Sequence, residues 1–544
     1  MNLTDEIKKL INGDVLVDEN ILEEYAEDKS IFRIKPRVVI FPKNVSDIQN
    51  LVKLVSQKRK NNEDISLTAR SAGTDMTGGP LTQSILLVFT KYFNQIIEWG
   101  KDYVVLEPGV YYRDFEKEAK RRQLFYPSYP ASKEICAWGG IINNNSGGEK
   151  SLKYGKTEKY VEEIEVVLAD GNVYTLKCWN QDELDKIKKQ ENFLSKCVVE
   201  IEKIILANRE LILKSKPKVK KNSSGYNLWD IIDFENRTFN LVKLFVGAQG
   251  TLGIVTKAKV QLLDIKQYEK IITIFIKNIS SLPAFVNDVL KLNPVSIEAT
   301  DDHTFKIFLK YAKEMASLLG VNNIFRTLKL FLPEIKYTLT HWFPKIVLII
   351  SFEGDDEEEV ERNIKQTAIL AKKYNFWFRI PRDEIEANKY WKLRRDTYKL
   401  LREKIKDRLA APTVDDIIVD PDVLPDFLPK LYKILEKYKL LYTISGHIGD
   451  GNLHIIPLMD MKREKDKIFS SMEEIYKLVI EYRGSITAEH NDGLLRTPFL
   501  ELQFGKEMLN LFYQVKKIFD PLNIFNPLKK VGLDKETAAK FIRD

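Results

Sequence analysis

Cysteine is scarce: Cys136, Cys178 and Cys197 are the only three in 544 residues, and no two form a CxxC pair. That excludes a disulfide framework, a cysteine-rich zinc site and an iron–sulfur cluster held by this chain alone. Long apolar runs are missing too, with no stretch near the ~18 uninterrupted apolar residues of a membrane span. The amino terminus, "MNLTDEIKKLINGD", is charged and amphipathic and has no apolar signal core. Neither sign of charge dominates, since 85 basic against 78 acidic residues leave a formal net charge of +7. The densest basic run, "KSKPKVKK" at 214–221, lacks interleaved aromatics and reads as a solvated face, not a nucleic-acid patch. These absences point to a cytoplasmic globular protein and leave peripheral attachment to a membrane open.

What is present is enough for two or more domains, at 44% hydrophobic and 30% charged residues over this length. Between 36 and 80, "RVVIFP" reads as a strand, "VSDIQNLVKLVSQKRKN" as a helix capped by Ser46, and "ISLTAR" as a second strand. The glycine loop "SAGTDMTGGP" follows. This βαβ unit can present backbone N–H groups to phosphate oxygens, although the loop is not GxGxxG and a purely structural turn fits it equally. A second unit, 100–264, repeats the small-residue theme in "WGGIINNNSGGEKSLKYGKT" and "LFVGAQGTLGIVTKAKVQLL". Glycine at that density between strands suits backbone wrapped closely around a large ligand. "YVEEIEVVLADGNVYTL" reads as a hairpin turning at Asp170-Gly171. Residues 178–222 read as an exposed, lysine-rich helical insertion. From about 265, strands alternate with amphipathic helices, as in an α+β domain on an antiparallel sheet.

Histidine is nearly as rare as cysteine, with five in all, and three of them fall in two short motifs. "GHIGDGNLH" places His447 and His454 around Asp450-Gly451, and "TAEHND" sets Glu489 beside His490. If Asp450-Gly451 is a two-residue turn, His447 and His454 lie directly opposite, close enough to share a metal ion. A stacked pair in a polar interface fits the spacing as well. Two imidazoles with a carboxylate form a recognised set for catalytic Zn²⁺, and also suit Mn²⁺ or Fe²⁺. His303 and His341 stand outside every motif and read as structural.

Together these motifs resemble, in order and over roughly 25–532, the FAD-dependent 2-hydroxy-acid dehydrogenases of the vanillyl-alcohol-oxidase superfamily. Within it, the chain is most similar to the group of glycolate oxidase subunits, D-lactate dehydrogenases and D-2-hydroxyglutarate dehydrogenases. The resemblance implies an α+β fold: a PCMH-type FAD-binding domain of two subdomains, and a ferredoxin-like α+β cap with an antiparallel sheet. The expected bounds are 1–264 for the FAD domain (subdomains 1–99 and 100–264), 265–480 for the cap, and 481–544 returning to the flavin half.

Carried over residue by residue, the resemblance implies a flavin cradle with Arg70, Ser71, Gly73, Thr74, Asp75 and Gly78 in its first loop. Pro130, Ser132, Gly139, Gly140, Asn145 and Gly147 would form the second wall, and Gly250, Thr251, Gly253, Ile254 and Asn526 the remainder. With no histidine in the first loop, FAD is expected without a covalent bond. The family pattern assigns the metal, Zn²⁺ foremost, to His447, His454 and Glu489, the general base to His490, and the substrate-carboxylate clamp to Arg394. Arg395 is the second choice, and Asn452 could bind substrate or orient a ligand.

The implied reaction takes a hydride from the substrate carbon to flavin and a proton from its hydroxyl. Electrons would then pass to a quinone, an electron-transfer flavoprotein, a cytochrome or an iron–sulfur partner. Four departures from the family pattern, Ala248, Gln249, Asn491 and Leu528, keep open a partner-dependent flavin-binding subunit. A non-redox flavoenzyme of the alkylglycerone-phosphate-synthase kind is the other alternative. Val414 falls about where the 2-hydroxyglutarate enzymes have a lysine, which argues against a dicarboxylate substrate.

Overall fold

The computed structural model describes residues 3–302, 343–404 and 408–543, together with 304, 306, 332, 334 and 337; at 393 and 396–404 it describes backbone alone. His303 and His341 lie outside the described residues.

The strand Val38–Phe41 is buried along its whole length, as its unbroken apolar run requires of a parallel strand covered on both faces. It pairs in parallel with Ile85–Val88, which pairs in parallel with Leu67–Arg70, while Asp14–Leu16 closes the other edge antiparallel. The helix Val45–Lys60 buries Ile48, Leu51, Val52 and Val55 against this sheet's core. Its cap is Asn44, which accepts from Asp47 N at 3.0 Å, not Ser46: the helix begins one residue before the serine.

A second sheet of seven antiparallel strands follows, centred on the pair Val161–Val167 and Ile254–Gln261. The expected hairpin joins Val161–Val167 to Val173–Asn180, with Gly171 at φ +76° in its turn. Residues 178–222 are not an exposed excursion. The helix Phe193–Ala207 buries Leu194, Cys197, Val198 and Ile201 in one core with Met508, Leu511 and Phe512 of the helix Leu500–Phe519. Apolar residues at helical spacing make a burying face, and the helix's own lysines, Lys196 and Lys203, occupy the exposed side. The chain end also returns to the first sheet, where Asn526 N donates to Leu67 O at 2.8 Å.

Among the described residues, the third sheet is antiparallel throughout and eight-stranded. It includes Tyr268–Ile276, Ile346–Gly354, Ser296–Asp301, Tyr442–His447 and Asn452–Met459. Along Tyr268–Ile276, the alternate residues Ile272, Ile274 and Ile276 enter a core with Phe285, Val286, Ile364, Leu428, Leu431 and Ile475 of the covering helices. Phe275 faces the other way, packing on Trp377 at 4.6 Å between ring centres. Among the described residues, no helix is long and apolar enough to cross a membrane.

Candidate active site

Three imidazoles converge on one carboxylate oxygen where the third sheet meets the turn after 486. His447 ends the strand Tyr442–His447, and His454 lies in Asn452–Met459. The observed register pairs His447 with Asn452 and Ser445 with His454, so the loop between the strands has four residues, not two. A two-residue turn of the favoured type needs positive φ at both central positions; here Gly451 has φ +77° and Asp450 does not. The histidines are therefore diagonal neighbours on one face, not directly opposite, with ring centres 5.2 Å apart.

Each ring is held at Nδ1 by a buried carboxylate. His447 Nδ1 lies 2.6 Å from Glu298 Oε1, its cross-strand partner. Asp415 takes both others, with His454 Nδ1 at 2.9 Å and His490 Nδ1 at 2.7 Å. The Nε2 atoms then face Glu489 Oε1, at 3.2 Å from His447, 3.5 Å from His454 and 4.0 Å from His490. Asp416 fixes the turn carrying Glu489 and His490, accepting from both their backbone N–H groups at 2.8 Å and from Thr487 Oγ1 at 2.6 Å. Asn452 donates to Asp416 Oδ1 and to Ile417 O, both at 3.1 Å, so its amide orients the turn.

Charge is concentrated here. Burial opposes ionisation of Asp415, but the His490 and His454 rings outweigh it and hold its carboxyl well below the usual range. Burial also disfavours a charged His454, yet Asp415 and Glu489 push it up to about 10. His490 is raised in the same way, against burial, by Asp415 and Asp416. Glu489 is held far below its ordinary value, because His447 and Lys221 outweigh its burial.

Do these residues fit a metal? Ligand atoms ~2.1 Å from a shared ion stand roughly 3.0–3.4 Å apart, the spacing of a tetrahedral or octahedral edge. The 3.2 Å separation meets that and the 3.5 Å one lies just beyond it, with each ring already turned by its carboxylate as metal-bound imidazoles are. Ligand atoms of Asp416, His454, Glu489 and His490 also lie within 4.8 Å of one another. Asp416, however, spends both oxygens on the turn. His454, Glu489 and His490 therefore fit as donors, and His447 joins them through its 3.2 Å approach to Glu489 Oε1.

Arg394 projects from the helix Glu384–Lys404, and its Nε donates to Glu298 Oε2 at 2.9 Å, so Glu298 joins it to His447. Its terminal nitrogens make no hydrogen bond among the described residues. Arg395 is committed elsewhere, forked onto Glu149 at 2.9 and 2.5 Å. Val414, which stands about where the 2-hydroxyglutarate enzymes have a lysine, is fully buried in the apolar core of the third sheet.

The expected flavin loops also come together, in places through bonds between themselves. Arg70 donates to the carbonyls of Tyr25 and Glu27 at 3.2 and 2.8 Å and lies across Gly73, so it braces the loop. Asp75 turns inward too, accepting from Thr77 N, Gly79 N and Asn144 Nδ2 at 2.8–2.9 Å. Ser71 donates to Pro108 O at 3.0 Å, and Asn526 ties Gly79 O to Gln249 O. Thr251 bonds Ala248 O and Tyr226, and Ile254 lies in the first core. Pro130 and Ser132 carry their own turn through backbone carbonyls, and Asn145 takes a left-handed backbone and donates to Glu158. Thr74 and Gly78 lie in the first loop, Gly78 at φ +80°.

A side chain at Gly253 would strike Val166, and one at Gly139 would strike Ser71. At Gly140 it would meet nothing within 4 Å, and at Gly250 only Ala69 at 3.8 Å. Gly140 and Gly250 thus leave free space beside their backbone, of the kind a flat cofactor laid against backbone requires. Gly147 connects the two regions, since a Cβ there would stand 2.7 Å from Glu489 Oε2.

The departures are absorbed locally. Gln249 Oε1 accepts from Gly493 N at 2.8 Å, and Asn491, at φ +71°, donates to Gly247 O at 2.8 Å. Leu528 stands at φ +68° and packs, half-buried, against the apolar core of the third sheet. Ala248 is buried beside them.

Glu298, Asp415, Asp416 and Lys221 were not foreseen. A readable signal existed for the first three: acids set inside apolar strand sequence, as in "SIEAT" and "TVDDII", rarely stay buried without a task.

A family model described as "FAD binding domain" matches residues 36–177, and one described as "FAD linked oxidases, C-terminal domain" matches 265–530. The chain is 29% identical to the glycolate oxidase subunit GlcD of Bacillus subtilis, covering 92% of this chain and 90% of that protein. It is 26% identical to the D-2-hydroxyglutarate dehydrogenase of Haemophilus influenzae over 95% of this chain, and spans only 50% of that relative's length. Among solved structures, 4-ethylphenol oxidase from Gulosibacter chungangensis superposes with a TM-score of 0.68 at 17% identity, covering 98% of this chain and 97% of that one. That likeness concerns the fold.

Proposed function

The chain belongs to the FAD-linked oxidases, and from that premise we propose that it oxidises a D-2-hydroxy acid, of the glycolate, D-lactate or D-2-hydroxyglutarate kind, to the 2-oxo acid. The observation that carries this reading is the convergence of His447, His454 and His490 on Glu489 Oε1, with Arg394 tied to the same cluster through Glu298. When bound, FAD supplies a hydride acceptor, and a divalent metal on His447, His454 and Glu489 makes the substrate hydroxyl more acidic.

The protein's own residues do the rest. Arg394 presents a planar fork to the substrate carboxylate, geometry that lysine does not reproduce. His490 takes the hydroxyl proton at Nε2, because its Nδ1 is engaged by Asp415. Asp416 keeps base and ligand in register by holding their adjacent backbone N–H groups. The electrons leave to an acceptor of the quinone, flavoprotein, cytochrome or iron–sulfur class.

The test is anaerobic mixing of the purified protein with D-lactate, L-lactate, glycolate and D-2-hydroxyglutarate while flavin absorbance is followed, with and without chelator. Stereoselective bleaching, lost on chelation and restored by Zn²⁺ or Mn²⁺, is the expected result. A protein that takes up no FAD, or whose flavin none of the acids reduces, overturns it.

A further inference from the structure

The last lysine of the basic run is not on the surface. Lys220 is exposed, while the Lys221 side chain is 2% exposed and reaches into the active site. Its Nζ pairs with Asp450 Oδ2 at 2.8 Å and lies 3.5 Å from Glu489 Oε2, the oxygen facing away from the imidazoles. Glu489 Oε2 has no hydrogen-bond partner among the described residues. An ammonium group buried this deeply is costly unless carboxylates compensate it, and these two are the ones present.

The backbone that delivers Lys221 is pinned. Ser223 N donates to Thr487 O at 3.1 Å, Ser485 Oγ donates to Asn222 Oδ1 at 2.6 Å, and Gly225 N donates to Asp492 Oδ2 at 2.8 Å. Lys530 Nζ clamps the same strap through Ser223 O at 3.0 Å and Gly225 O at 2.7 Å. A segment of the flavin half is thus laced along the turn that carries Glu489 and His490.

We propose that Lys221 is a positioning residue for Glu489: by holding Oε2 it turns Oε1 toward the three imidazoles and keeps the carboxylate single-ended toward a metal. Without it Glu489 is free to rotate and offer both oxygens, or to swing off the rings. The strap then makes the metal site a joint product of the flavin half and the third sheet. This rests on the metal reading given above.

The experiment uses the FAD-loaded protein, stripped of metal and titrated with Co²⁺ and Zn²⁺, in wild type, Lys221→Met, Lys221→Met/Asp450→Asn and Lys220→Met. Removing an outer partner of a metal ligand costs roughly 10–100-fold in affinity. Lys221→Met is expected to bind Zn²⁺ that much more weakly and to change the visible Co²⁺ spectrum, with flavin retained. The double variant removes the stranded Asp450 charge, so it is expected to regain thermal stability and not affinity. Lys220→Met is expected to match wild type.

Recovery of affinity in the double variant, or an unchanged Co²⁺ spectrum in Lys221→Met, overturns the positioning role. A wild-type protein that takes up no Co²⁺ or Zn²⁺, with His447→Ala indistinguishable from it, overturns the metal reading and this proposal together.

Discussion

His454 and His490 share one carboxylate: Asp415 receives Nδ1 of the first at 2.9 Å and of the second at 2.7 Å, and the two rings stack with centres 5.0 Å apart. One of these rings is a proposed metal ligand and the other the proposed base. A single aspartate therefore sets the tautomer and orientation of both, which ties metal binding to proton abstraction. Arg496 steadies this segment in turn, donating to Asp415 O and Asn491 O.

Asp415→Asn tests the coupling. The amide must offer an N–H to one ring, so one Nδ1 loses its acceptor and that imidazole is free to take the other tautomer. Metal affinity is expected to fall roughly 10–100-fold, and the rate of flavin reduction to fall even at saturating metal. Metal titration and stopped-flow reduction of the same preparation check both. Loss of one without the other would separate the two roles.

The raised histidine values give a signed pH dependence. In the metal-free protein His454 titrates at about 10, against an ordinary value near 6.5, so its contribution to stability is complete below 6.5 and is lost as pH rises through 10. The metal-free protein should therefore lose thermal stability across that window, and the metal-loaded protein should not. Metal must also displace this proton, so apparent affinity should rise about tenfold per pH unit through the same range. Melting curves with and without Zn²⁺, and titrations at several pH values, measure the two slopes.

The adjacent arginines should behave differently. Arg394→Lys removes the planar fork beside Glu298, and KM is expected to rise tenfold or more, ~1.4 kcal/mol of lost binding. Arg395→Lys weakens the fork onto Glu149 and should act mainly on stability. Glu149 is held down to about 2, since Arg395 and the Tyr129 hydroxyl outweigh its burial, so the pair is charged at neutral pH. Steady-state kinetics beside melting curves distinguish the two variants.

How much of this was legible in the sequence follows from chain distance. The βαβ opening, the glycine loops and the clustered histidines sit in contiguous motifs, and His447, His454 and Glu489 come together in the structure. The carboxylates behind the rings could not be placed, because Glu298 is 149 residues from His447 and Asp415 is 39 from His454. The hairpin register was misread because Asp-Gly suggests a two-residue turn, whereas Asp450 does not take the positive φ such a turn needs and the loop runs over four residues. Lys221 was hidden by its neighbours, since composition counts a lysine run as one exposed face.

Asn491 carries the last prediction. It stands where the family pattern has glycine, and its φ of +71° shows that the backbone still asks for glycine or asparagine. Its amide also donates to Gly247 O at 2.8 Å and Asn144 O at 3.2 Å, joining the base-bearing turn to two flavin loops. Asn491→Gly keeps the conformation and loses both of these and the bond that Oδ1 accepts from Asp492 N at 2.7 Å, so three bonds at about 0.5–1.5 kcal/mol each should lower stability by about 1.5–4.5 kcal/mol. Because the stitch spans the flavin loops and the His490 turn, FAD release should also become faster. Asn491→Val loses the bonds and adds backbone strain, so it should be worse than glycine on both measures. Denaturant melts and flavin-release rates across the three proteins check the order. A valine variant as stable as wild type would mean that the turn can be rebuilt without its left-handed residue.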